Sequence, residues 1–308
     1  MEEILKKHHY RKTFYLIIGL VLVITLTARV FVIPYFDATS AISSTQVITM
    51  ILDGLFASLI VTIFIGMFIF WLTPEIVKKS MMEVIDPKEI SPLLKKATIN
   101  SKTWIFKGVT GRYTRSVTIP SMAESARAQS IGRDIRLSLI NPKNTDLCKE
   151  YAIYRKSLKS ASDTDPWDYK KVRNEVVATI VSALITKHDE PLLRIEIYLL
   201  EHFSAFRLDI SDDYVVITKE DREASGLRAD KGTYFYDSYI DEVRLHERQA
   251  TNVIVTDSVE CLIRESFDND ALKKFIKDIN LLDDNEISTL NLAKITSSIK
   301  NPKNPYAN

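Results

Sequence analysis

The stretch VITMILDGLFASLIVTIFIGMFIFWL, from Val47 to Leu72, decides the architecture of this chain. Asp53 is its only charged residue. About 20 consecutive apolar residues, rising 1.5 Å each, cross the roughly 30 Å hydrocarbon layer of a bilayer. The run exceeds that length. A buried core helix this long and this free of charge is rare, so a transmembrane helix over residues 47–72 is expected.

A second apolar run precedes it. Phe14 to Ala28 is uncharged, and the run continues past Arg29 through Val30–Ile33 to Pro34. It is too long for a secretory signal, and no small-x-small cleavage site precedes a mature start. A second helix over about residues 14–35 is expected, making residues 13–72 a two-helix hairpin. Lys6, Lys7, Arg11 and Lys12 precede the hairpin, and Lys78, Lys79, Lys95 and Lys96 follow it. The loop from Phe36 to Gln46 holds no Lys or Arg. The positive-inside rule therefore places the N-terminal residues 1–12 and the C-terminal part in the cytoplasm.

Apart from Asp37 in the connecting loop, two charges lie within the hairpin. Arg29 is six residues before Tyr35, and Asp53 is six residues after Val47. Each is thus about 9 Å below the outer end. An ion pair at matched depth makes both tolerable in lipid, although the long Arg29 side chain also suits separate snorkelling to the interface. Gly54, Ser58, Thr62 and Gly66 recur every fourth residue and form a stripe for close helix packing, either within the hairpin or between protomers.

The averages hide this division. The 308 residues are 46% hydrophobic and 26% charged, with net charge +1. Most of the charge falls after residue 73. A balance near zero argues against general nucleic-acid binding, which depends on phosphate neutralisation by a basic surface. Cys148 and Cys261 are far apart and build neither a disulfide framework nor a metal pattern.

Residues 73–102, interrupted by Pro74, Pro87 and Pro92, read as a connector, with a helix such as Glu75–Val84 extending the membrane helix. Residues 103–300 alternate strands and helices, which predicts an α/β fold with a mixed sheet and a helical C-terminus. Strands are expected at Thr103–Val109, Arg133–Ile140, Leu193–Leu199, Ala205–Ile210 and Tyr214–Thr218, the last two joined as a hairpin by Asp212–Asp213. Glu220–Lys231 reads as a charged loop and Thr233–Tyr236 as a short strand. Helices are expected around Pro120–Ser130, Asp146–Ser157, Trp167–Lys187 (amphipathic), Ser238–Asn252, Ser258–Phe267, Asp270–Leu282 and Asn285–Ile299. Asp163–Pro166 reads as a turn, and residues 301–308 as a disordered tail.

Motifs for common chemistry are missing. No glycine-rich phosphate loop, HExxH, cysteine–histidine cluster or nucleophile elbow is present. His246, among Arg244, Glu247 and Arg248, reads as a solvated residue. No catalytic residue, metal ligand or cofactor is expected.

One stretch resembles a known family. Phe206 to Asp212, followed by Asp213-Tyr214-Val215-Val216-Ile217, resembles the region around the catalytic motif of the phospholipase D family, His-x-Lys, four residues, then Asp. The aligned positions are Ala205, Arg207 and Asp212, and the resemblance spans about residues 103–235. It implies a phospholipase D-like fold without the activity, because Ala205 stands where the nucleophilic histidine belongs. Arg207 near Asp212 forms either an anion pocket or a structural ion pair.

The layout as a whole resembles the two-transmembrane effectors of bacterial antiphage systems, including those encoded beside retron reverse transcriptases. The resemblance implies an inner-membrane effector, non-enzymatic and abortive-infection in type. Its cytoplasmic domain is triggered by a nucleotide signal or by a reverse transcriptase–nucleic-acid complex. Its partners are then the lipid bilayer and, on activation, further copies of itself. The alternatives are a membrane-anchored phosphodiesterase-like enzyme, with Arg112, Arg115, Arg207 and Asp212 near a phosphate-containing substrate, and a membrane scaffold.

Overall fold

The computed structural model describes residues 8–27, 30–31, 42–72, 79–158, 166–221, 223–254 and 267–305. The chain divides into two units, 1–79 and 80–308.

The first unit holds helices α1 (His8–Thr27) and α2 (Ile42–Leu72), which touch each other. Among the described residues, one helix, Val47–Phe68, is long and apolar enough to cross a membrane. In α1 the described apolar stretch is the shorter Leu16–Thr27. Arg29 and the loop between the helices lie outside the described residues, and so does the expected Arg29–Asp53 pair.

The second unit is a mixed α/β fold. Its strands are β1 (Glu83–Ile85), β2 (Thr103–Lys107), β3 (Arg133–Ile140), β4 (Leu193–Leu200), β5 (Phe206–Ile210), β6 (Tyr214–Lys219), β7 (Gly226–Asp230) and β8 (Thr251–Asn252). They form one eight-stranded sheet in the order β1-β7-β6-β5-β2-β3-β4-β8. The pairs β2/β3 and β3/β4 are parallel and all the others antiparallel. The helices are α3 (Pro87–Asn100), α4 (Ile119–Gln129), α5 (Thr145–Lys156), α6 (Tyr169–Asp189), α7 (Tyr234–Gln249), α8 (Asn269–Asp278), α9 (Asp284–Ile287) and α10 (Leu292–Lys300).

Alternation assigns the two faces of the sheet. Phe106, Ile135, Leu137, Leu139, Ile195, Ile197 and Val216 join the larger core beneath α3, α4, α6 and the C-terminal helices. Ile105, Leu208, Ile210, Val215 and Ile217 form a smaller core with Tyr236 and Val243 of α7.

Helix α6 departs from the expected amphipathic pattern. Every residue from Val172 to Thr186 is buried. The sheet lies on one side, while α5 and α10 also pack against α6. Its polar positions are tied down. Arg173 donates to the Pro142 carbonyl (2.8 Å), Thr145 Oγ1 (2.7 Å) and Thr289 Oγ1 (3.1 Å). Asn174 Oδ1 accepts from the Asn291 amide (3.2 Å).

Four further expectations are corrected. The expected connector supplies β1, paired with β7, and α3, whose Leu94 and Ala97 enter the core. Pro87 does not interrupt α3, because it occupies the first turn behind an Asp86 cap. The charged loop contains β7, which Gly226 opens beneath the Ile217 carbonyl. Thr233–Tyr236 is a helix start, in which Thr233 Oγ1 accepts from the Tyr236 amide. The single C-terminal helix breaks between α9 and α10, where Asn291 caps the latter. Residues 159–165 and 255–266, with the expected turn and helix there, lie outside the described residues.

Helix α6 sets the stability of the second unit. Ile180→Ala is expected to cost about 2–5 kcal/mol, as truncations of sealed core side chains do. Chemical denaturation followed by circular dichroism checks this. A loss under about 1 kcal/mol would mean the site relaxes freely.

Candidate functional site: an arginine cleft at the carboxyl edge of β2

The cleft lies where β2 ends and β5 begins, at the junction of the parallel trio with the antiparallel strands. Ligands of open α/β sheets commonly sit outside the carboxyl ends of strands. The turn after β2 depends on Gly111, whose φ of +63° suits glycine. A Cβ there would also meet Thr179 Cγ2 of α6 at 2.8 Å. This close approach launches Arg112 and Tyr113 over the cleft. The next residues, Thr114–Thr118, form a π-helical turn in which the Ile119 amide donates to the Thr114 carbonyl. The wider turn precedes Pro120, which has no amide to donate.

Arginines converge on the cleft from three elements. Arg112 follows the β2 turn, with Nε 3.9 Å from Glu175 Oε2. Arg207 projects from β5, and its Nε donates to Asp209 Oδ2 at 2.9 Å. Its stem crosses Gly108, where a Cβ would sit 3.2 Å from Arg207 Cγ. Arg155 comes from the end of α5. These three line the cleft together with Thr110, Tyr113 and Glu220. Buried Trp167 is its aromatic wall, with Lys171 Nζ 4.5 Å from the ring centre, Arg155 Cζ 5.5 Å and Arg112 Cζ 5.7 Å. An adjoining groove shares Tyr113 and Arg207 and continues along Ile90, Ser91 and Leu94 of α3.

Among the described residues, the carboxylates beside these cations are Glu175, Asp209 and Glu220. Glu175 is shared, because Arg115 Nη2 binds its Oε2 at 2.7 Å while Arg112 lies farther off. Asp209 is fully enclosed. Burial pushes its carboxyl above the usual range, against the pull of Arg207. Arg155 is 5% exposed, and its Nε and Nη1 are buried without an acceptor among the described residues. A guanidinium stays charged at any ordinary pH. Burying guanidinium donors without acceptors is costly, and the cation–π contact with Trp167 returns only about 0.5–2 kcal/mol. The deficit is what a bound anion would remove.

Arg207 and Asp212 do not form one pocket. Asp212 Oδ2 accepts from the amides of Lys102 (2.6 Å) and Thr103 (3.3 Å) at the opposite end of β5, fixing the start of β2. Five residues along a strand and turn separate the two by about 16 Å. The ion pair of Arg207 is with Asp209, two residues on and on the same face. Ala205 lies just before β5, at the cleft edge of the sheet.

His246 is half-buried rather than solvated. Its ring centre is 4.6 Å from that of His202, beside Lys107, whose Nζ donates to Glu242 Oε1 at 2.7 Å. Burial, and then Lys107, hold both imidazoles below their ordinary value. The cluster joins β2, the end of β4 and α7, so no local spacing could have shown it. Among the described residues no group of His, Cys, Asp or Glu could hold a metal.

In α2 the small residues do not share a face. Gly54 and Ser58 are exposed, Thr62 is half-buried with its hydroxyl donating to the Ser58 carbonyl (2.8 Å), and Gly66 is buried. A spacing of four advances about 400° against 360° per turn, so the stripe drifts around the helix. The row turned inward is Leu52, Phe56, Leu59, Ile63 and Gly66. Asp53 lies beside it, half-buried.

No protein-family model and no curated protein matches this sequence. A solved structure with some likeness is that of TrmBL2, an archaeal chromatin protein described as showing a novel mode of DNA binding. It is 10% identical, with a TM-score of 0.32 over 65% of this chain. The chain spans 65% of that protein's length.

Cys148, on α5, is fully buried, and burial pushes its thiol up to about 11. It is expected to stay protonated and to resist alkylation at pH 8 in the folded protein, reacting only after denaturation. Mass spectrometry of iodoacetamide-treated protein reads this. Rapid native labelling of Cys148 would show that α5 opens.

Proposed function

We propose that this chain is a membrane effector, with α1 and α2 crossing the bilayer as a hairpin and both termini in the cytoplasm. On this reading the cytoplasmic α/β unit, phospholipase D-like in descent, receives a signal. The hairpin then disrupts the inner membrane and arrests growth, as in retron-type antiphage defence. The observation that supports it most is the union, in one chain, of a bilayer-length apolar helix with an α/β unit that offers a cationic cleft. Among the described residues that cleft is lined by three guanidiniums and by no imidazole or thiol. That donor set favours holding an anion over attacking it.

The outward position of Gly54 and Ser58 supports assembly through α2. Clustering of triggered soluble units would raise the local concentration of hairpins. Close helix approach at small residues would then hold protomers together. Nothing lies within 4 Å of a Cβ built at Gly54, so leucine fits there within the chain itself. Controlled expression in a bacterial host is expected to dissipate membrane potential and admit propidium. Gly54→Leu and Ser58→Leu are expected to abolish both effects at unchanged membrane-fraction levels. Undiminished permeabilisation by both variants would sink assembly through this face, and no loss of potential with wild type would sink the effector reading.

Topology offers an independent measurement. A periplasm-dependent reporter inserted between Phe36 and Gln46 is expected to be active, and the same reporter after Asn308 silent. The reverse pattern would overturn the orientation.

A further inference from the structure

Arg155 is the anomaly of the second unit. Arg115, Arg133 and Arg173 are equally buried, and each places its guanidinium on several protein acceptors. Arg115 reaches Glu175 and Thr179. Arg133 reaches the carbonyls of Thr98, Ser101 and Ile99 and the Gln129 amide oxygen. Arg173 reaches Pro142, Thr145 and Thr289. Arg155 has no such set among the described residues, yet it faces a cavity into which Arg112 and Arg207 also point. Among the described residues, Arg112, Arg155 and Arg207 line the cleft with Glu220, while Glu175 and Asp209 lie beside it. The enclosed carboxylate is the one that burial biases toward its neutral form.

We infer that this cleft binds a phosphate-bearing small molecule, with its phosphate on Arg112, Arg155 and Arg207 and its organic part in the adjoining groove along α3. This deepens the signal-receiving role proposed above by giving the signal a chemical class. The chemistry of the donors supports phosphate, since planar guanidinium forks approaching from three elements match a tetrahedral anion with several acceptor oxygens. The two spaces differ in size. The cleft encloses about 30 Å³, water-sized as it stands, while the groove holds about 290 Å³. The groove lies at the lower end of the usual range for ligand pockets, which suits one compact organic group rather than a polymer. Its lining is mixed, with Ile90, Leu94 and Tyr113 beside Ser91 and Lys219. A soluble nucleotide and a phospholipid headgroup share this chemistry.

The test uses the full chain in nanodiscs of neutral lipid, with thermal melting and calorimetric titration. The probes are inorganic phosphate, adenosine monophosphate and, in a third arm, nanodiscs containing phosphatidate. Wild type is expected to melt higher with phosphate and to bind the nucleotide more tightly than phosphate. Protection by phosphatidate instead assigns the lipid source and supports the same site. Arg155→Leu and Arg155→Gln are expected to weaken binding by about tenfold or more, as loss of a charge-assisted hydrogen bond does. Without ligand these variants are expected to melt no lower than wild type, because they remove buried donors that have no acceptor among the described residues. The inference is overturned if no probe protects wild type, or if Arg155→Leu lowers the ligand-free melting temperature while binding is unchanged. Binding without any membrane damage on expression would sink the effector reading and leave this site standing. Membrane damage without binding would do the reverse.

Discussion

The enclosure of α6 is the constraint on which the second unit depends. A helix with no solvent-facing position from Val172 to Thr186 must be covered on every side. The sheet covers one side, and segments more than a hundred residues downstream cover another. Arg173 and Asn174 join those segments through polar contacts that water would otherwise supply. The same helix builds the cleft. Glu175 and Thr179 hold Arg115, and the Thr179 methyl sets how closely the Gly111 turn may approach. Core and cleft therefore share one scaffold, and a change in the packing of α6 reaches Arg112 through a single turn of chain.

The cleft combines two kinds of arginine. Arg115 is buried against Glu175 and its charge is largely spent on the fold, whereas Arg207 lines the cleft beside Asp209. Arg112 and Arg155 are held near Trp167, whose ring face attracts cations without supplying a hydrogen-bond acceptor. Such a wall orients guanidiniums, and in Arg155 it leaves Nε and Nη1 without an acceptor among the described residues. Asp209 limits the total negative charge, because in a fully enclosed position its ionisation is opposed.

The long apolar helix α2 follows a different rule. Its inward row, Leu52, Phe56, Leu59, Ile63 and Gly66, alternates steps of four and three, the spacing that keeps a seam on one side of a helix. The row of small residues uses steps of four alone, starts outside that seam at Gly54 and Ser58, and meets it only at Gly66. Leu52, Phe56, Leu59 and Ile63 thus turn inward, while Gly54 and Ser58 face the surroundings along with other side chains such as Phe64.

Much of this was legible in the sequence. The length and apolarity of Val47–Leu72 establish a membrane-competent helix by themselves, since both are local properties. The alternation at Arg133–Ile140 and Leu193–Leu199 and the Asp212–Asp213 turn marked strands and a hairpin for the same reason. Weak or interrupted patterns misled, because tertiary partners decided them. β1 and β7 exist by pairing with each other, and Pro87 is an obstacle or a helix start according to what precedes it. The site was legible only in part. Arg207 was marked by its place in a motif-like stretch, but the five-residue step to Asp212 crosses the sheet from one edge to the other, which a linear motif cannot reveal. Arg155 carried no sequence signal at all. An arginine near the end of a helix is ordinary until the fold buries it beside Trp167 and turns Arg112 and Arg207 toward the same space. Composition and periodicity act along the chain and fix its elements, whereas burial of charge is a property of distant segments meeting, and only the tertiary structure decides it.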